Sequence, residues 1–249
     1  MIILKSRREI DIMREANQIV AETHALLAEN IRPGISTAEL DQLADEFIRS
    51  RGAVTSFKGY QGFPASICIS INEEVVHGIP ADHRFLEAGD IVSIDIGTFY
   101  EGFNGDAART HAVGSISDNA SKLLKITEES LLKGIEKAVI GNRLFDISHT
   151  VQKFVEKNGF SVVRDYVGHG IGRDMHEDPQ IPNFGPAGKG PKLKEGMTLA
   201  IEPMVNIGGY EVETLEDDWT VVTKDRSLSA HFEHTIAVTK DGVEILSKL

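Results

Sequence analysis

Shifted against itself by 107 residues, the chain lays an acidic residue on an acidic residue inside a matched frame. Leu86-Glu87-Ala88-Gly89-Asp90-Ile91-Val92-Ser93-Ile94-Asp95 falls on Leu193-Lys194-Glu195-Gly196-Met197-Thr198-Leu199-Ala200-Ile201-Glu202. In both copies the carboxylate follows an Ile and lies six residues after a Gly. The same offset sets Gly34 on Gly141, Leu40 on Ile147, Phe47 on Phe154, Ile48 on Val155 and Gly52 on Gly159. One offset that serves both a helix-like and a strand-like segment predicts two copies of one folding unit. Such copies bring two strand-borne carboxylates toward a shared axis. Like charges held there, away from bulk water, repel unless a proton or a cation lies between them.

The 249 residues suffice for a core that needs no disulfide. No linker or low-complexity stretch divides them, so the expectation is one catalytic domain over 1–249, with halves of about 1–115 and 116–249. The net charge of -12 argues against specific nucleic-acid binding and against an anionic membrane surface, which both require clustered Lys and Arg. The lone cysteine, Cys68, excludes an internal disulfide and a CxxC zinc site. The apolar run at Met1–Leu4 is too short for a secretory signal, and no stretch reaches membrane-spanning length. A cytoplasmic protein is expected.

Helical spacing of apolar residues predicts a helix over 7–30, ended by Arg32-Pro33-Gly34. Ser36 with Glu39 forms a capping-box pattern that opens a second helix to about Ser50. Strands are expected over 65–72 and 90–99, then a turn at Glu101–Gly105 and a returning strand over 107–113. The order repeats with helices over 118–139 and 144–158 and strands near 161–167, 198–205, 210–213, 219–222 and 232–239. The segment His176–Lys194, rich in Pro and Gly, reads as an ordered surface loop. The fold class is α+β, antiparallel strands with helices. Period two puts Val92, Ile94 and Ile96 on one face of their strand and Ser93 and Asp95 on the other.

Five residues stand out as a metal shell: Asp95, Asp106, His169, Glu202 and Glu233. Asp106 lies 11 residues after Asp95 across a turn, so the two can meet on a hairpin. His169 sits in Gly168-His169-Gly170-Ile171-Gly172, where glycines let backbone and ligand approach closely. Four carboxylates and one imidazole suit Mn, Fe or Co and accept Zn, and they are too acidic a set for a single cation. Two divalent ions bridged by carboxylates and a water would balance four negative charges, and that water becomes hydroxide near neutral pH.

The segment Cys68-Ile69-Ser70-Ile71-Asn72-Glu73-Glu74-Val75-Val76-His77-Gly78-Ile79-Pro80 resembles the type I methionine aminopeptidases. So do the pair Asp95 and Asp106, Gly168–Gly172 with His176-Glu177-Asp178-Pro179, Ile201-Glu202-Pro203 and Phe232-Glu233-His234-Thr235. The likeness spans essentially the whole chain. Aminopeptidases are themselves among the enzymes that use paired metals. The resemblance implies the pita-bread fold, two pseudo-symmetric halves with antiparallel strands inside and helices outside. It implies removal of the initiator methionine from nascent chains whose second residue is small. It makes Asp106 and Glu233 ligands to both ions, Asp95 a ligand to one, and His169 and Glu202 ligands to the other, with the substrate amine on one metal. It gives His77 the amide nitrogen next to the scissile bond, His176 the developing oxyanion and Glu202 the proton shuttle. It assigns Tyr60, Phe63, Cys68, His77, Met175, His176 and Trp219 to substrate binding; Met175 departs mildly from the aromatic or Leu common there. The absence of an N-terminal extension and of a helical insertion between Glu202 and Glu233 matches the short bacterial form. Work on nascent chains would bring it to the ribosome transiently, although no basic patch announces that contact. Monomer is the default.

Other readings of the same residues are weaker. His231-Phe232-Glu233-His234 resembles part of a zinc deaminase motif, whose Cys partners are missing. Gly168–Gly172 lacks the Lys-Ser/Thr of a phosphate loop. Cys68 reads as a pocket-wall hydrophobe. Two alternatives remain: a proline-directed relative such as prolidase, and a catalytically silent peptide-binding module.

Overall fold

The computed structural model describes residues 1–248. Serines open three of its four long helices. Ser6 starts α1 (Arg7–Asn30) and Ser36 starts α2 (Thr37–Ser50), each with a reciprocal capping box to the Glu three residues on. Ser117 caps α3 (Asp118–Ile135), and α4 (Leu144–Lys157) follows. The 107-residue offset relates α2 to α4 at both ends, 37 to 144 and 50 to 157. The first half carries strands β1 (Val54–Thr55), β2 (Cys68–Ile71), β3 (Glu74–Val76), β4 (Ile91–Tyr100) and β5 (Phe103–Ala112). The second carries β6 (Ser161–Val162), β7 (Gly168–Gly170), β8 (Glu177–Ile181), β9 (Thr198–Ile201), β10 (Met204–Asn206), β11 (Val212–Thr214), β12 (Val221–Thr223), β13 (Ser229–His231), β14 (His234–Thr239) and β15 (Gly242–Ile245).

Every strand pairing is antiparallel. In the first half β4 lies between β5 on one side and β1 and β2 on the other. In the second the order is β15-β14-β9-β7-β8. Beside these sheets lie two three-stranded ones, β13-β10-β6 and β11-β12-β3, the latter joining strands of both halves. The apolar face of β4 (Val92, Ile94, Ile96) packs with Ile19, Val20 and Leu27 of α1 and Leu40, Ala44 and Ile48 of α2. Leu199, Ile201, Ile236 and Val238 pack under Leu123 and Leu131 of α3 and Ile147, Val151 and Val155 of α4. Each such side chain contributes about 1.5–3 kcal/mol on burial. Gly134 lets α3 close on α4, for a Cβ there would come 2.7 Å from Val151 Cγ2.

A seam of hydrogen bonds ties β5 to β13 and β14. Glu233 N–H donates to Ala108 O at 2.8 Å, Thr235 Oγ1 to Asp106 O at 2.8 Å, and His231 N–H to Thr110 Oγ1 at 2.9 Å. Two expectations need correction. The β4–β5 turn spans only Glu101-Gly102, and the stretch read as loop from His176 holds β8, the edge strand beside β7. Among the described residues no helix is long and apolar enough to cross a membrane.

Candidate metal centre and substrate cavity

Asp95 stands mid-strand on β4, opposite Cys68 of β2 and Ala108 of β5. Asp106 faces Gly97. The two Asp residues are therefore diagonal neighbours on one sheet face, within side-chain reach. Gly97 has a local reason: a Cβ there would lie 2.6 Å from the ring of Phe57. His169 is the middle residue of β7, between Gln180 of β8 and Ala200 of β9. Its glycines serve close approach, but of protein rather than ligand. A Cβ on Gly168 would meet Ala200 O, one on Gly170 would meet Asp178 O, and one on Gly172 would meet Glu177 and Lys5. Glu202 follows β9, where Pro203 interrupts the ladder, and Glu233 lies in the gap between β13 and β14.

These elements converge. Asp106, His169 and Glu233 each offer a ligand atom within 4.8 Å of the others'. His169 Nε2 lies 3.5 Å from Glu202 Oε1 and 3.7 Å from Asp106 Oδ2. Its Nδ1–H donates to Gly170 O at 2.9 Å, which leaves Nε2 with a lone pair in the neutral ring. Burial holds that ring neutral, its pKa pushed down to about 3. Its lone pair therefore faces the carboxyl oxygens of Glu202 and Asp106. Burial also raises Asp95 to about 7, and it lifts Asp106, Glu202 and Glu233 well above the carboxylate range, aided by mutual repulsion. Asp95 Oδ1, Asp106 Oδ1 and Glu233 Oε1 are buried without a hydrogen-bond partner. Divalent cations fit this donor set: hard oxygens and one imidazole, acceptors all, with unsatisfied atoms turned together.

The cluster lines a cavity of about 420 Å³. His77, His176, Tyr60, Phe63, Cys68, Met175 and Trp219 line it together with the five. No Lys or Arg does. Phe63 meets Trp219 edge-on at 5.1 Å, and His77 meets Tyr166 edge-on at 5.5 Å. His77 has φ of 61°, a strained backbone of the kind held at functional sites. Tyr60 Oη and His176 Nδ1 are 2.8 Å apart, and the His176 ring lies 4.3 Å from that of His169. Burial raises the Cys68 thiol well above its usual pKa and keeps it protonated. Sequence reasoning missed Phe57, Gln61 and Gln180 in the lining, and His231, whose buried Nε2 is 3.8 Å from Glu202 Oε2. Period two already places His231 on the face of Glu233, a signal available in Ala230–His234. His234 turns away instead and bonds Ser247 Oγ at 2.8 Å.

The profile of metallopeptidase family M24 matches residues 11–240. A methionine aminopeptidase of Clostridium acetobutylicum is 60% identical over 99% of each chain. The structure of methionine aminopeptidase from Thermotoga maritima superposes with a TM-score of 0.99 at 47% identity, covering 100% of both chains. An Xaa-Pro dipeptidase from Bacillus anthracis superposes with a TM-score of 0.79 at 26% identity, over 99% of this chain and 62% of that one. The chain belongs to metallopeptidase family M24 and shares its pita-bread fold, in the branch of the bacterial type I methionine aminopeptidases.

Proposed function

We propose that the chain hydrolyses the bond after an N-terminal methionine when the second residue is small. Asp95, Asp106, His169, Glu202 and Glu233 would hold two divalent ions, of Mn, Fe, Co or Zn. The observation that carries this reading is the meeting of two buried and two half-buried carboxyl groups with an imidazole lone pair, in a cavity lined by no Lys or Arg. The chemistry supplied by bound ions is Lewis acidity toward the scissile carbonyl and toward water.

The remaining work falls to the chain. The methionine side chain enters between Tyr60, Phe63, Cys68, Met175 and Trp219, where sulfur and aromatic surfaces favour a thioether. His77 hydrogen-bonds the amide nitrogen beyond the scissile bond. Tyr60 donates to His176 Nδ1, which leaves the proton of a neutral ring on Nε2, ready for the oxyanion. Glu202 takes a proton from the attacking water and returns it to the leaving amine. One catalytic domain with two related halves supports this division of labour, each half giving two of the carboxylates. The natural substrates would be the N-termini of nascent chains in the cytoplasm.

The test uses protein purified without chelators, assayed for bound metal and for release of Met from Met-Ala-Ser with Mn²⁺ or Co²⁺. Release is expected. Cleavage of Xaa-Pro peptides alone would move the chain to the prolidase reading, and no cleavage of either would leave a peptide-binding module.

A further inference from the structure

We propose that a buried ion pair outside the cavity, Lys5 with Glu177, is a positioning device for His176. The inference rests on the role given above to His176. The two side chains are 3% and 5% exposed and pair directly. Lys5 is the only Lys or Arg buried among the described residues. Taking two such charges out of water carries a large desolvation cost before their attraction offsets it, and apolar side chains fill the same volume with no such cost. Packing alone gives no reason for the pair; its location does.

Lys5 lies in the segment before α1, and its N–H donates to Gly196 O at 2.7 Å. Glu177 opens β8 and is the next residue after His176. The pair lies across Gly172, where any Cβ would run into both side chains. It therefore clamps the turn that leads from His169 on β7 to His176. Asn104 holds the same turn from β5, with its N–H on Gly172 O at 2.8 Å and its Nδ2 on Gly172 O at 3.1 Å and Arg173 O at 3.0 Å. His176 itself is exposed, and the polar partner of its ring is Tyr60. The ring takes its direction from the backbone beneath it as well as from Tyr60 and the His169 ring 4.3 Å away. The ion pair fixes that backbone one residue away. Neither Lys5 nor Glu177 lines the cavity, so neither touches substrate.

The experiment is a double-mutant cycle on the full chain loaded with Mn²⁺, with Met-Ala-Ser as substrate. Lys5→Met should lower kcat roughly 10- to 100-fold, the scale of a small misplacement. KM should stay within about twofold, since ground-state binding is untouched. Mn²⁺ content should be unchanged, and Lys5→Arg should restore most of the rate. In a His176→Ala background Lys5→Met should cost nothing further. In the metal-free protein, the ring NMR signals of His176 should move or broaden in Lys5→Met while those of His77 stay. An equal loss in both backgrounds, or a loss that follows metal content, would overturn the proposal. Should Lys5→Met fail to fold, Glu177→Gln enters the cycle under the same criteria. A wild-type protein that releases no Met sinks the functional reading instead, and the His176 signals then decide this one.

Discussion

The two halves deliver their carboxylates differently. In the first, β4 and β5 pair without a break from Ile91 with Ala112 to Tyr100 with Phe103, and both acids sit inside the ladder as Asp. In the second, β9 stops at Ile201 and β10 resumes at Met204, while β13 stops at His231 and β14 resumes at His234. Both acids sit at those interruptions, as Glu. Pro203 cannot donate to a ladder and enforces the first break. At the breaks other groups take up the backbone: Asn183 Nδ2 donates to Glu202 O at 2.9 Å, and Glu233 N–H goes to Ala108 O. The comparison teaches that a side chain leaving a regular strand is aimed by the pleat and can be short. One leaving a gap starts from a less constrained backbone and uses an extra methylene to reach the same point.

The strongest challenge to this picture is Asp106→Asn. It should reduce Met-Ala-Ser turnover by at least roughly 10³-fold, the scale of the several kcal/mol that bound metal contributes, with circular dichroism unchanged. Normal turnover would remove Asp106 from the shell. Glu202→Asp keeps the charge and shortens the reach, so it should cost about 10²-fold in kcat. A wild-type rate there would end the argument from interrupted strands. His77→Ala, on the strained residue outside the shell, should lower kcat roughly 10²-fold and leave metal content alone. Equal loss of both would make His77 a ligand.

Stability offers a gentler probe. Asp95, on the unbroken ladder, is raised to about 7 by burial, so the folded metal-free protein holds its proton more tightly than the unfolded chain. That contribution is fully present below the ordinary Asp range and is lost as pH rises toward 7. Measured against Asp95→Asn, where that carboxyl cannot titrate and the buried histidines act alike in both proteins, the metal-free wild type should lose stability in thermal unfolding as pH increases from 4.5 to 7.5, by a few kcal/mol at most. Added Mn²⁺ should reverse the trend most strongly at the high end. A wild type that gains on Asp95→Asn over that range would contradict the buried-acid reading. The smallest effect concerns the helices. Ser36 caps α2 with its hydroxyl, whereas Arg143, at the corresponding place before α4, offers only its backbone N–H to Asp146 Oδ2 at 2.8 Å. Ser36→Ala should cost about 1 kcal/mol in urea unfolding. Arg143→Ala should lose no side-chain cap.

The helices were legible because caps and a 3.6-residue period are local properties. Their ends fall within a few residues of expectation, and the α3 reading overran Ile135 because Ala138 and Val139 keep an apolar pattern beyond the last helical turn. The long strands β4 and β14 were legible for the same kind of reason. Strands of two or three residues, such as β1, β3 and β7, carry too little sequence for period two to register. The edge strand β8 was hidden by its Pro, a residue that reads as loop wherever it stands. The matched frames of Asp95 and Glu202 singled out two acids without any structure. His231 was passed over because the motif around it was weighed only as a zinc sequence, and Gln61 and Gln180 carry no pattern that separates them from surface amides.

The seam between β5 and β13–β14 has one further implication. Main-chain bonds at Asp106 O and at Glu233 N–H stitch the backbones of these two acids across the join. Any hinge motion between the halves would tear those stitches and pull the acids apart. This jaw is therefore set rather than snapping. New tastes on such a scaffold must arise at its lips, from residues like Gln61 and Gln180, which can be exchanged while the bite beneath them stays as it is.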